Sequence, residues 1–330
     1  MERLTQLQDW LHQVLPGQTF SLAPAYSDAS FRRYFRLSLN ARTLIVMDAP
    51  PAHENCAPFL HVAQLFSGAG VHVPEILAQD VEQGFLLLSD LGTDTYLMRL
   101  DEGSADALYR DANAALVKIQ MASQPGRLPP YDAALLMREM RLFPDWYVAK
   151  HLNAQLTANQ TATLENALQL VLSNVSAQPP VYVHRDYHSR NLMVSDPNPG
   201  IVDFQDAVYG PITYDLVSLY KDAYITWDET RMLDWVIRYW EEAKRARLPV
   251  ADDFGAFYRD FEWMGVQRHL KVLGIFARLY HRDGKEGYLK DMPRVMHYLR
   301  SACERYRALG PLLQLLDELH GSEQRVGYTF

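Results

Sequence analysis

The stretch Val181-Tyr-Val-His184-Arg185-Asp186-Tyr-His188-Ser-Arg190-Asn191-Leu-Met-Val194, followed by Ile201-Val-Asp203-Phe204, decides how this chain is read. Asp186 and Asn191 stand five residues apart between two short apolar runs, and Asp203 follows twelve residues later at the end of a third. The runs at 181–183 and 192–194 predict strands that fix both ends of the intervening loop. Two carboxylates and one carboxamide are thereby placed on a strand–loop–strand frame.

That set of groups is what ATP-dependent phosphoryl transfer asks for. The transferred phosphoryl group is intrinsically reactive, so a protein contributes position and neutralisation of the charge spreading over its equatorial oxygens. In this reading Asp186 orients the acceptor hydroxyl and takes its proton, while Asn191 and Asp203 hold Mg2+ against the phosphates of ATP. Magnesium is a hard ion that keeps several waters, so one carboxylate and one amide oxygen suffice. His184 is expected to brace the loop through backbone hydrogen bonds. His188 and Arg190 are candidates for substrate or phosphate contact, with loop bracing as the alternative, and Asp206 is a candidate outer carboxylate.

Periodicity divides the rest into a small mixed part and a larger helical one. Apolar Leu4, Leu7, Leu11 and Leu15 predict a helix over 3–15, ended by Pro16-Gly17. Five strands are expected near 18–26, 31–39, 43–48, 71–77 and 85–88, with a helix over 57–69. Ser89-Asp-Leu91-Gly92 reads as a hinge whose backbone meets adenine, which puts the nucleotide-binding part at 1–91 and the catalytic and acceptor-binding part at 92–330. Helices are predicted over 104–121, 161–175, 216–225, 229–246, 253–281 and 291–319. The fold class is α+β.

The nucleotide side lacks two familiar devices. No glycine-rich loop covers the phosphates; Ser27-Asp-Ala-Ser30 stands between the first two strands, and Ser30 is a candidate phosphate donor. The third strand, ending Ile45-Val-Met-Asp48, carries no Lys. Alternation along the second strand puts Arg33 on one face with Phe35, Leu37 and Leu39, and Arg32, Tyr34 and Arg36 on the other. A cation on an apolar face is costly unless it meets an anion, so Arg33 is the candidate for the nucleotide phosphates, a pair with Glu54 or Asp48 being the alternative.

Composition sets bounds. The chain has 330 residues, a net charge of −8 and 22% charged residues, which argues against a nucleic-acid or anionic-membrane partner. Met1–Trp10 does not look like a signal peptide, no apolar run is long enough to span a bilayer, and Cys56 and Cys303 make no metal or disulfide pattern. A cytoplasmic monomer is the expectation.

The segment from His184 to Asp215-Leu216 resembles the aminoglycoside phosphotransferase and choline kinase-like enzymes. Tyr26-Ser-Asp-Ala-Ser-Phe-Arg-Arg-Tyr-Phe-Arg36 and Leu44-Ile-Val-Met-Asp-Ala-Pro-Pro51 are similar to the bacterial kinases that phosphorylate C1 of N-acetylmuramate and N-acetylglucosamine in cell-wall recycling. The resemblance implies a bilobal protein-kinase-like fold, with a small five-stranded antiparallel N-lobe and a larger, mainly helical C-lobe. It also implies ATP and Mg2+ as cofactors, an amino-sugar substrate, and Asp215 tying down the catalytic loop. On that view Tyr224 is a candidate sugar-stacking ring, and Arg268 or Lys271 a partner for a lactyl carboxylate. An aminoglycoside, choline or homoserine-type acceptor, and a silent nucleotide-binding scaffold, stay open at this level.

Overall fold

The computed structural model describes residues 2–27, 31–40 and 42–320. In chain order its elements begin with α1 (Glu2–Val14), β1 (Ser21–Ser27), β2 (Arg33–Leu39), β3 (Arg42–Asp48), α2 (Ala57–Gly68), β4 (Ile76–Asp80), β5 (Phe85–Ser89), α3 (Tyr96–Arg99) and α4 (Ala105–Met121). Next come α5 (Ala133–Met140), a π-helical segment (Phe143–His151), α6 (Ala158–Ala177), β6 (Pro180–Val183), β7 (Leu192–Met193), β8 (Gly200–Ile201) and β9 (Val208–Pro211). The chain then continues through α7 (Tyr214–Tyr220), α8 (Glu229–Arg245), α9 (Phe254–Asp283), α10 (Met292–Arg305) and α11 (Gly310–His320).

Two compact units emerge: residues 1–122 with 190–207, and 123–189 with 208–330. The first runs past position 91 to take in α4, and it also takes the β7–β8 ribbon.

In the first unit the sheet order is β1-β2-β3-β5-β4, and every neighbouring pair is antiparallel. Leu37, Leu39, Leu44, Val46, Phe85 and Leu87 project to one face and pack against Leu7, Trp10 and Leu11 of α1 and Leu15 just beyond it. Alternation alone explains this, because residues two apart share a face. The strand expected at 71–77 begins later, at Ile76. Pro74 cannot donate to a ladder, and His72 instead pairs with Gly200.

The second unit is built on α9, thirty residues long and buried around most of its circumference. It packs against α5, α6, α7, α10 and the π-helical segment. The single helix expected over 291–319 is two: α10 ends at Arg305 and α11 starts at Gly310. α5 and the π-helical segment lie between the helices expected over 104–121 and 161–175, where no helix was predicted.

Candidate functional site

Two constellations carry chemistry, one in each unit. The first unit holds a cavity of about 310 Å³ on the sheet face opposite α1. Ala25, Tyr34, Arg36, Ile45 and Leu88 form its floor, and residues 89–93 form one edge. Asn191, Met193, Val202, Asp203 and Phe204 close the other side. At the 89–93 edge Arg36 donates to both oxygens of Asp90, Nε at 2.6 Å and Nη2 at 3.1 Å, and to the Gly92 carbonyl at 2.9 Å. Burial pushes the Asp90 carboxyl up, but hydrogen bonds from Arg36, Thr43 and the Gly92 N–H outweigh it and leave it below the usual carboxylate range.

The β7–β8 ribbon reaches this edge because residue 200 is Gly. A Cβ there would come within 2.9 Å of Leu91 Cδ1 and Ser195 Oγ. The ribbon closes with a Val202 N–H to Asn191 carbonyl bond of 3.1 Å. Asn191 Nδ2 then lies 3.2 Å from Asp203 Oδ2, and Gln205 Nε2 donates to Asp203 Oδ1 at 2.8 Å. Asp203 holds a left-handed φ of 64°, a conformation Asp tolerates better than most side chains. A carboxylate beside a carboxamide fits a hard, oxygen-seeking dication such as Mg2+. Among the described residues no cluster of three or more His, Cys, Asp or Glu suggests a different metal.

The second unit holds the loop that carries Asp186. β6 pairs with β9, Val183 opposite Val208, and the chain leaves β6 at His184. Asp215, fully buried at the start of α7, accepts the N–H groups of His184 at 2.6 Å and Arg185 at 3.0 Å. His184 Nδ1 accepts the Asp186 N–H at 3.2 Å. Arg185 has a φ of 76°, a strained backbone for a branched-out side chain, and it is held at three points. Its N–H goes to Asp215, its carbonyl accepts Arg268 Nη1 at 2.8 Å, and its guanidinium pairs with Glu139.

Asp186 faces a cationic wall from α9. Arg268 Nη2 stands 3.7 Å from Asp186 Oδ1. Lys271, one turn on, pairs with Glu139 at 3.2 Å and donates to the Tyr214 hydroxyl at 2.9 Å, which Arg268 also reaches at 3.0 Å. Burial pushes the Asp186 carboxyl up, but Lys271 and Arg268, with His188 and His184 behind them, hold it well below the usual carboxylate range. Its side chain keeps 43% exposure, so water partly screens that field. Glu139 is likewise held low: burial raises it, and Lys271, Arg185 and the Tyr131 hydroxyl overcome the penalty.

The other sequence candidates fall into place as follows. Ser89, Leu91 and Arg190 line the first unit's cavity with Asn191 and Asp203. Ser30 lies outside the described residues. Arg33 is on the α1 face of the sheet, lies over the Phe35 ring and pairs with buried Asp48, which Arg3 also binds. The cation on the apolar face thus meets a protein anion, Asp48, the alternative given for it above. Arg268 and Lys271 are buried and engaged with Asp186, Glu139 and Tyr214, contacts that support the loop. His188 meets the edge of Tyr224 at 5.4 Å between ring centres, and Tyr224 adjoins Phe276. Asp222, Glu139 and Tyr214 escaped the sequence reading. Asp222 accepts the N–H groups of Ser189 at 3.0 Å and Tyr224 at 2.9 Å; its position two helical turns after Asp215 was the available signal.

Residues 21–250 match the phosphotransferase enzyme family, APH. This chain belongs to that family. Curated relatives agree along nearly the whole phosphotransferase chain. It is 51% identical to a Pseudomonas aeruginosa protein named N-acetylmuramate/N-acetylglucosamine kinase, over 96% of this chain and 97% of that one. A Neisseria meningitidis protein of the same name is 49% identical over the full length of both. The fold is that of choline kinase LicA from Streptococcus pneumoniae, with a TM-score of 0.65 at 13% identity over 91% of this chain and all of that one. It is also shared by ADP-bound aminoglycoside phosphotransferase APH(2'')-Ib, with a TM-score of 0.57 at 14% identity over 89% and 97%. The protein-kinase-like α+β fold expected from the sequence is thereby established.

Proposed function

We propose that this phosphotransferase moves the γ-phosphoryl group of ATP to the anomeric hydroxyl of N-acetylmuramate and N-acetylglucosamine, a step in peptidoglycan recycling. The observation that carries the acceptor is the near-50% identity, end to end, with two proteins bearing that kinase name. The chemistry is supported by the chain's own groups. Ser89 and Leu91, on the boundary near 89–92 proposed to separate nucleotide-binding and catalytic parts, meet the adenine. Asn191 and Asp203 hold Mg2+, which when bound neutralises phosphate charge. Asp186 orients the sugar hydroxyl and receives its proton, while His184 and Asp215 fix the loop that carries it. His188, Tyr224 and Arg190 are the residues proposed to touch sugar or phosphate. No helix among the described residues is long and apolar enough to cross a membrane, and we take the enzyme to act as a cytoplasmic monomer.

The test is ATP consumption with Mg2+ across a panel of N-acetylmuramate, N-acetylglucosamine, choline and aminoglycosides, with products followed by 31P NMR. The expected product is a sugar phosphate whose phosphorus couples to the anomeric proton. Phosphate on any other oxygen, or turnover with choline or aminoglycosides alone, would overturn the assignment.

A further inference from the structure

The two acceptors proposed above differ at one place. N-acetylmuramate carries a lactyl ether, and so a carboxylate, where N-acetylglucosamine has a hydroxyl. Telling them apart takes a cation that the shared part of the sugar does not use. Arg268 and Lys271 keep only 8% and 7% of their side chains exposed. Arg294 keeps 28%, and the structure ties it to the same neighbourhood.

The tie runs through the segment that follows α7. Asp222 accepts the Ser189 N–H on one oxygen at 3.0 Å and the Tyr224 N–H on the other at 2.9 Å, which couples this segment to the catalytic loop. The Tyr224 ring meets the edge of His188, whose backbone N–H donates to the Asp186 carbonyl at 3.0 Å. From the other side α10 holds the same segment. Arg294 Nη1 donates to the Ala223 carbonyl at 2.5 Å, and the Tyr298 hydroxyl, one turn on, donates to Thr226 Oγ1 at 2.9 Å. Asp186, His188, Tyr224 and Arg294, all half-buried, are thus joined by successive contacts. An aromatic ring stands next to the loop of the hydroxyl-orienting carboxylate, and a guanidinium stands next to the ring's own backbone.

That guanidinium is fixed. Asp291, buried and just ahead of α10, accepts Nη1 on Oδ1 at 3.2 Å, while its Oδ2 meets no donor among the described residues. Nη1 is therefore committed to one carbonyl and one carboxylate. Among the described residues no other hydrogen bond or ion pair engages Arg294. Its Nε and Nη2 form a second edge of the planar group, the edge that grips a carboxylate through two parallel bonds. A cation in the first turn of α10 also stands against the helix dipole, so helix stability does not account for its position.

We propose that Arg294, anchored by Asp291 and the Ala223 carbonyl, binds the lactyl carboxylate and so raises this enzyme's selectivity for N-acetylmuramate over N-acetylglucosamine. The inference rests on the acceptor reading above and concerns the choice between acceptors, not the transfer step.

The test is the ratio of kcat/KM for N-acetylmuramate to kcat/KM for N-acetylglucosamine. Arg294→Gln can still donate to the Ala223 carbonyl. It is expected to lower that ratio roughly ten- to a hundredfold, the range of a charge-assisted hydrogen bond, and to do so through KM. Tyr298→Phe loosens the same segment without removing a charge, and the ratio is expected to stay within about twofold of wild type. A ratio lowered less than about fivefold by Arg294→Gln, whether both acceptors suffer alike or neither does, overturns the proposal. An equal drop in Tyr298→Phe overturns it as well. A second measurement needs no variant. With the lactyl carboxamide in place of the acid, the wild-type enzyme is expected to lose a similar factor. Equal kcat/KM for acid and amide overturns the proposal even where Arg294→Gln does not fold. Wild-type protein that phosphorylates neither sugar would refute the acceptor reading itself, a separate outcome.

Discussion

Replacing Asp215 by Asn sets two effects against each other, and the structure says which wins where. The carboxylate is fully buried and gives one oxygen to each of two backbone N–H groups of the catalytic loop. Burial lifts its pKa to about 7, against the pull of those N–H groups and of Arg268. The folded chain therefore binds this proton more tightly than the unfolded chain, where the pKa is near 3.8. The group's contribution to stability is complete below the unfolded value and is lost as pH climbs through 7. By linkage the loss is about 1.6 kcal/mol at pH 5 and about 4 kcal/mol at pH 8. Asn cannot ionise and escapes this dependence. Relative to wild type, the Asn variant should gain about 2 to 3 kcal/mol between pH 5 and pH 8, since any fixed offset of the substitution cancels in that difference.

The same variant should be a worse enzyme. A carboxamide has one acceptor oxygen for two backbone donors, so the N–H of His184 or Arg185 loses its partner and the loop slackens. Urea unfolding of both proteins at the two pH values, beside steady-state turnover, reads both effects. A stability difference that stays flat or falls with pH would show that the hydrogen bonds dominate and that Asp215 is ionised without penalty.

Asp186→Asn should lower kcat by roughly 10²–10⁴-fold while calorimetric ATP affinity stays within twofold; near-normal turnover would remove Asp186 from the chemistry. Gly274→Ala should destabilise the fold by about 1–3 kcal/mol, because a Cβ there overlaps the Leu142 carbonyl, a backbone group that cannot turn aside. Melting at the wild-type temperature would mean that α9 and this stretch separate without strain.

The strands of the small sheet and the first helices were legible because β2, β3 and α1 obey simple alternation and helical spacing, with packing in agreement. The catalytic loop was legible for a different reason: Asp186, Asn191 and Asp203 are close in sequence, so their spacing carries the signal. The partners of that loop come from far along the chain. Glu139 lies on α5, which follows a proline-rich stretch that masked its two turns, and Arg268 and Lys271 lie on the side of α9 that amphipathic logic assigns to solvent. That logic fails because α9 is buried on nearly every side. Arg33 shows the limit of a one-dimensional pattern: alternation placed it on the apolar face and offered Glu54 or Asp48 as its anion, and only the register of β2 against β3 selects Asp48.

The two carboxylates of the loop are driven in opposite directions by one neighbourhood. Asp215 has only backbone N–H groups in direct contact and is pushed up; Asp186 faces Arg268 and Lys271 and is pushed down. Groups separated in this way have separate duties. A strongly acidic Asp186 would be a poor choice for pulling a proton from an alcohol at the outset. Phosphoryl transfer does not require that, because its transition state is loose and the acceptor oxygen gains acidity only as its bond to phosphorus forms. What helps early is an anion that stays ionised and accepts a hydrogen bond from the hydroxyl, and the α9 cations guarantee it. The cluster on α9 therefore suits an Asp186 that positions first and takes the proton late, with Asp215 contributing the geometry of the loop at a cost in stability.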